Sequence, residues 1–187
     1  LNTDERGRYL GEFQGDDRIL VVNKNGTYYT TDYDLSNHYE EGFSVIEKYE
    51  PEKVWSAVFF DAEQQFYYLK RFRFENVARH TLFIGETEGS YLVALSGEKR
   101  PRFEVVFGGR YESRPAEVIV ADEFIAEKSY KARGKRVTTY EVKQISEIEP
   151  LDSGEEESEE TASTDIDFEI TNPDMLSDET QMKLDFE

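Results

Sequence analysis

Along the first 150 positions, apolar residues come in short runs divided by turn residues, and they alternate with the two-residue period of a strand rather than the 3.6-residue period of a helix. Ile19–Asn23 and Thr27–Thr31 flank Lys24-Asn25-Gly26. Asn-Gly between β-rich runs predicts a hairpin whose two central turn residues both take positive φ. A second pair, Val54–Phe60 and Phe66–Phe74, flanks a polar turn at Asp61–Gln64. In the later run, alternation places Phe66, Tyr68, Lys70, Phe72 and Phe74 on one face and Tyr67, Leu69, Arg71 and Arg73 on the other. The second face therefore changes from apolar to cationic along its length. Further strands are predicted at His80–Ile84, Tyr91–Leu95, Arg102–Phe107, Glu117–Ala121 and Val137–Val142, each bounded by Gly, Pro or charged residues. Helical spacing never persists beyond about two turns.

One order recurs: an apolar strand, a turn, then a strand ending in cations, at Lys70-Arg71 and more loosely at Lys128–Arg136 after Phe124-Ile125. Recurrence of this kind, with Phe and Tyr spread throughout, predicts a repeated small sheet rather than a two-layer sandwich. A body of this length can hold one domain with its own core, or a few repeats that share one. Composition then divides the chain. Leu151–Thr164 is Asp, Glu, Ser, Thr and Gly with almost no apolar residue, too polar to offset the entropy of ordering it. The expected organisation is an all-β domain over 1–150 and a largely disordered acidic tail over 151–187.

Charge sharpens this picture. Residues 151–187 hold 14 of the 41 acidic residues and one of the 22 basic ones, so the tail carries −13 of the formal net charge of −19 and the body only −6. From Lys99 to Arg136 the body is locally basic, with ten Lys or Arg against six Asp or Glu. The densest knot, Lys128-Ser-Tyr-Lys131-Ala-Arg133-Gly134-Lys135-Arg136, has five cations in nine residues and no acid. Such a site matches a polyanion or an acidic surface. Candidate phosphate contacts are Lys70, Arg71 and Arg73; Lys99, Arg100 and Arg102; and Lys128, Lys131, Arg133, Lys135 and Arg136, with Phe72 and Tyr130 supporting cationic stems. The competing reading of the same residues is a solvated face neutralised by nearby acids.

Catalytic chemistry finds little footing. His38 and His80 lie far apart, there is no Cys for a disulfide or thiolate metal site, and neither a phosphate-binding Gly-x4-Gly-Lys-Ser/Thr loop nor a Gly-x-Ser-x-Gly elbow occurs. Acid pairs such as Asp16-Asp17 and Glu40-Glu41 are ordinary in surface turns. The expectation is no catalytic residue, no metal and no cofactor in this chain. No apolar run approaches the roughly 20 residues of a spanning helix, so no membrane partner is expected. The start lacks both Met and the basic-then-apolar pattern of a signal peptide, and the chain is read as a fragment of a longer cytoplasmic protein.

Three stretches together resemble a known family. These are Tyr9-Leu-Gly-Glu-Phe-Gln-Gly-Asp-Asp-Arg-Ile-Leu-Val-Val-Asn-Lys-Asn-Gly, Phe66-Tyr-Tyr-Leu-Lys-Arg-Phe, and Glu123-Phe-Ile-Ala-Glu-Lys-Ser-Tyr-Lys-Ala-Arg-Gly-Lys-Arg-Val-Thr-Thr-Tyr-Glu-Val. They are similar to the C-terminal domain of the A subunit of bacterial type IIA topoisomerases, in the topoisomerase IV form of Bacteroidetes, over roughly residues 5 to 150. The resemblance implies a β-pinwheel, a propeller-like ring of four-stranded blades whose rim binds and bends duplex DNA, with this chain supplying the last few blades. It places Lys70 and Arg71 on the DNA-facing rim. It makes Lys131-Ala-Arg133-Gly134-Lys135 a reduced form of the basic glycine-rich box of the gyrase A subunit, which favours topoisomerase IV and speaks against chiral wrapping. The catalytic tyrosine and the breakage-reunion core would lie in the preceding part of the A subunit, with Mg2+ and ATP handled by other domains and by the B subunit.

The tail lies outside this resemblance. Its last residues, Gln181-Met182-Lys183-Leu184-Asp185-Phe186, resemble the short peptides by which bacterial replication proteins dock on the sliding clamp, with Gln181 as polar anchor and Met182, Leu184 and Phe186 as apolar plugs. A reading of another class is a protein-interaction β-domain that binds a basic partner through its acidic surface.

Overall fold

The computed structural model describes residues 1, 8–39 and 42–151. Its first hairpin shows how local chemistry sets the repeating unit. Strand β1 (Ile19–Asn23) pairs with β2 (Thr27–Thr31), Val22 opposite Tyr28, within the bounds expected from the sequence. The turn differs from expectation. Three residues remain between the strands, the Gly26 N–H donates to the Asn23 carbonyl at 3.0 Å, and Gly26 has φ of +78° while Asn25 keeps a negative φ. This is a three-residue loop closed by a left-handed glycine. Asn25 contributes through its side chain instead, accepting from the N–H of Thr27 at 3.1 Å and from its hydroxyl at 2.7 Å.

Strand β3 (Phe43–Lys48) lines the other side of β1. After it come β4 (Trp55–Asp61) and β5 (Phe66–Phe72), which form the second hairpin, and only then β6 (Thr81–Leu82), which returns to pair with β2. The pattern repeats. Strand β7 (Tyr91–Ser96) lines β4, then β8 (Arg102–Phe107) and β9 (Glu117–Val120) form the third hairpin, and β10 (Lys135–Arg136) returns to β5. Strand β11 (Val142–Ile148) closes the described chain against β8. The sheet orders are β3-β1-β2-β6, β10-β5-β4-β7 and β11-β8-β9. In the first two, a two-residue fourth strand arrives after the next sheet's hairpin has formed, so successive sheets are threaded through one another. The all-β, bladed architecture expected from the sequence is the one observed.

Packing follows from this threading. Leu20, Val22 and Tyr28 of the first sheet meet Trp55, Ala57, Phe59 and Phe72 of the second in one cluster. On the opposite face of the second sheet, Val58 and Leu69 meet Phe103, Val105 and Phe107 of the third. Strands β4 and β5 are therefore buried on both faces along their middles, which is why their polar-apolar alternation breaks down there.

The structure shortens the expected strands Phe66–Phe74 to Phe66–Phe72 and His80–Ile84 to Thr81–Leu82, and two further strands depart more from the sequence reading. Val137–Val142 does not form one strand, because the run straddles two sheets. The Val137 N–H still bonds the Tyr67 carbonyl at 2.8 Å beside the second sheet, whereas Val142 already pairs with Phe107 in the third. The expected strand at Glu117–Ala121 stops at Val120, since Ala121–Phe124 forms a single helical turn, α1. Among the described residues the third sheet has three strands. Its β9 lacks the cover that β6 and β10 give the equivalent strands, and Val118 is 51% exposed where Tyr28 and Leu69 are 0% exposed.

This contrast sets an expected outcome. Leu69→Ala should cost about 3 kcal/mol in denaturant unfolding, the usual loss for a fully buried leucine, and Val118→Ala under about 0.5 kcal/mol. Equal costs would mean that Val118 is covered in solution.

Candidate nucleic-acid interface

The basic knot is pressed onto β5 by backbone geometry before any side chain is considered. Lys135 pairs with Leu69 and Arg136 with Tyr68. Gly134 has φ of +95°, and a Cβ there would lie 2.5 Å from the Leu69 carbonyl oxygen and 2.9 Å from the Lys70 Cβ, so only glycine allows this approach. Upstream, the Lys128 N–H donates to the Arg71 carbonyl at 2.9 Å. Tyr130 turns inward and is buried against Tyr28, with ring centroids 5.7 Å apart. Lys131 and Arg133 lie between these fixed points with their side chains exposed, and Lys128, Lys135 and Arg136 expose theirs from the fixed points themselves.

The expected contacts sort into distinct environments. Lys128 and Lys131 are exposed. Lys131 lies over the Tyr130 ring, its ammonium 5.5 Å from the centroid. Lys135 lies 4.2 Å above the Phe124 ring and donates to the Phe124 carbonyl, and the Arg136 guanidinium stacks 3.9 Å from the Phe66 centroid. None of these four forms an ion pair with a described residue. Arg133 is flanked by Asp61 at 3.7 Å and Glu63 at 3.5 Å, which partly neutralise it. Lys99 is exposed on the loop between β7 and β8, also without an ion-pair partner among the described residues.

The remaining candidates are committed elsewhere. Arg73 pairs with Glu52 at 2.7 Å and Glu127 at 3.1 Å. Arg100 pairs with Asp122 at 3.1 Å and Glu123 at 2.5 Å. Arg102 donates to the Glu149 carbonyl at 2.6 Å, and half-buried Arg71 donates to the Ile125 carbonyl at 3.4 Å. Lys70 departs most from the expected rim position. It is 3% exposed, and its ammonium donates to the carbonyls of Phe83, of Tyr130 at 2.5 Å and of Ala132 at 3.2 Å. The reason is visible in the alternation: Lys70 shares its face with Tyr68 and Phe72, and that face is core. Burial pulls the Lys70 ammonium down to about 8.

Threading also exposes a cation that sequence reading missed. The Phe83 N–H bonds the Gly26 carbonyl just beyond β6, as the Val137 N–H bonds the Tyr67 carbonyl just beyond β10. This matches Thr81-Leu82 to Lys135-Arg136, and Arg79, two residues before β6, to Arg133. Arg79 is exposed with no ion-pair partner among the described residues, and the neighbouring His80 stacks on Tyr29 at 4.2 Å. A lone Arg-His pair carries no charge-cluster signal, and only the repeat reveals its place. The Gln181–Phe186 peptide and the acidic tail lie outside the described residues.

Small interlocked β-sheets that display basic residues beside the strand exchanges define the class: an all-β bladed domain with a cationic margin. The particular family follows from comparison with known proteins. Residues 1–149 match the family described as Topoisomerase C-terminal domain, Bacteroidota, and the chain belongs to it. No curated protein matches. Among solved structures, the crystal structure of the C-terminal domain of DNA topoisomerase IV is similar over 74% of this chain and 48% of that one, with 14% identity and a TM-score of 0.47. The chain thus spans about half the length of that structure.

Lys70 gives a pH-dependent readout. An NMR titration should show its ε-methylene shifting with a midpoint near 8, well below the ordinary lysine value of 10.5. The folded chain holds this proton less tightly than the unfolded chain, so the Lys70 contribution to stability rises as pH climbs from about 8 to the ordinary lysine value of 10.5. Above about 10 the phenols of buried Tyr28 and half-buried Tyr67 oppose it, since Tyr28 is pushed well up and Tyr67 up to about 12, both chiefly by loss of water around the ring, and both favour the folded state only while neutral. A Lys70 midpoint above 10 would show that burial does not govern it.

Proposed function

We propose that this topoisomerase C-terminal domain is a non-catalytic DNA-binding module of a topoisomerase IV-type A subunit. It engages duplex through phosphate contacts and bends it, presenting a DNA segment to a catalytic core elsewhere in the enzyme, where the B subunit, Mg2+ and ATP act. The observation that carries this reading is the grouping of Lys128, Lys131, Lys135 and Arg136 on one short segment with no carboxylate in ion-pair reach among the described residues. Lysines and arginines freed from acids can release phosphate counterions, whereas Arg73 and Arg100 must first give up two carboxylates each. Phosphate contacts set position rather than base sequence, so binding is sequence-tolerant and steeply salt-dependent. This role implies a cytoplasmic, nucleoid-associated location.

Salt-titrated binding to a short duplex tests the reading. Replacing Lys128, Lys131, Lys135 and Arg136 together by Ala should weaken binding at least about 10-fold and lower the slope of log affinity against log salt by roughly 3 to 4. Arg79→Ala should lower it by about 1, and Arg100→Ala should leave it unchanged. An unaltered slope in the quadruple variant removes this segment from the interface. No binding at low salt favours instead a domain that binds a basic partner.

We further propose that Gln181, Met182, Leu184 and Phe186 dock on the sliding clamp of the same organism. A peptide of residues 176–187 should bind that clamp with micromolar affinity and lose it on Gln181→Ala or Phe186→Ala. No binding at about 100 μM, some 5.5 kcal/mol, ends the idea.

A further inference from the structure

We propose that Lys70, with Arg71 beside it, is a positioning residue that anchors the basic segment, not a phosphate contact. The inference rests on the DNA-binding reading above and assigns this pair a different part in it. An ammonium has three donors and no acceptor. At Lys70 all three are spent on main-chain carbonyls, those of Phe83, Tyr130 and Ala132, at a site only 3% exposed. No donor remains for a phosphate, and the Phe59, Phe72 and Phe83 rings lie 5.0 to 5.7 Å from the charge.

The identity of the three carbonyls gives the site its purpose. Phe83 follows β6, the segment that completes the first sheet, whereas Tyr130 and Ala132 precede β10, the segment that completes the second. A single buried charge therefore ties both strand-exchange segments to β5, and with them the two loops that carry Arg79 and Lys128–Arg136. Within the second loop, the other main-chain ties of residues 129–132 are local, from the Ala132 N–H to the Ser129 carbonyl at 2.9 Å and from the Lys131 N–H to the Ser129 hydroxyl at 3.3 Å. Arg71 secures the approach, its carbonyl accepting from the Lys128 N–H and its guanidinium donating to the Ile125 carbonyl. Removal of the Lys70 ammonium leaves three carbonyls facing aromatic rings, and the segment bearing Lys131 moves outward to reach water.

A double-mutant cycle separates anchoring from contact. Lys70→Met should weaken duplex binding about 10-fold in the otherwise unaltered domain and less than 2-fold further in the Lys128, Lys131, Lys135, Arg136 quadruple-Ala background. Equal losses in both backgrounds mean an independent phosphate contact and overturn the proposal. Acylation of the unaltered protein, mapped by mass spectrometry, covers the case in which Lys70→Met does not fold. Lys70 should stay unmodified with and without DNA, while Lys128, Lys131 and Lys135 are modified when free and protected by duplex. Reaction of Lys70 at the rate of the exposed lysines, with protection by DNA, overturns the proposal. If the unaltered domain fails to bind duplex, the DNA reading falls but the anchor is still judged. Amide exchange at residues 130–134 should then be faster in Lys70→Met, and unchanged exchange overturns the anchor.

Discussion

Burying both faces of the β4–β5 hairpin is the constraint on which this domain depends. Val58 and Leu69 point into one core while Ala57, Phe59 and Phe72 point into the other, so the middle of the hairpin has no face to offer water and needs a sheet on each side. Strand exchange supplies both and binds them together. The first sheet is completed only after β4 and β5 have formed, and the second only after β8 and β9. Each of the first two sheets thus takes its last strand from beyond the next sheet's hairpin, which joins neighbouring sheets through backbone hydrogen bonds as well as through packing.

The same exchange governs where positive charge sits. A fourth strand of two residues is too short to contribute much core, and Lys135 and Arg136 contribute none. What it does is bring a polar segment across a buried strand and leave its flanks at the surface. Aromatic rings then hold the cations in place: Phe66 under Arg136, Phe124 under Lys135 and Tyr130 beside Lys131. These stacked positions restrict side-chain freedom without the carboxylates that would compete with a polyanion. Where acids do approach, as at Arg73 and Arg100, the cation is occupied by the protein itself.

Much of this was legible beforehand wherever the signal was local. The bounds of β1, β2 and β8 follow from short runs of apolar and β-branched residues cut off by turn residues, a signal carried by residue type and near-neighbour spacing. Strand β3 and strand β11 escaped notice, since Ile46 and Ile145 are their single buried side chains and an edge strand with one buried residue carries almost no periodic signal. The two-residue strands lie below the length at which periodicity exists at all. Their partners come from 50 to 70 residues away, and no local pattern encodes that pairing.

The sequence by itself determined the all-β character, the bladed repeat, the division of charge between body and tail and the cationic segment at Lys128–Arg136, because each depends on residue type and near-neighbour spacing. Tertiary structure alone decided which cations are available. Lys70 and Lys131 have the same side-chain chemistry, yet the first spends its three donors on carbonyls from two distant segments and the second faces solvent. Availability is a property of what packs against a charge, and that is fixed only when strands remote in sequence cross.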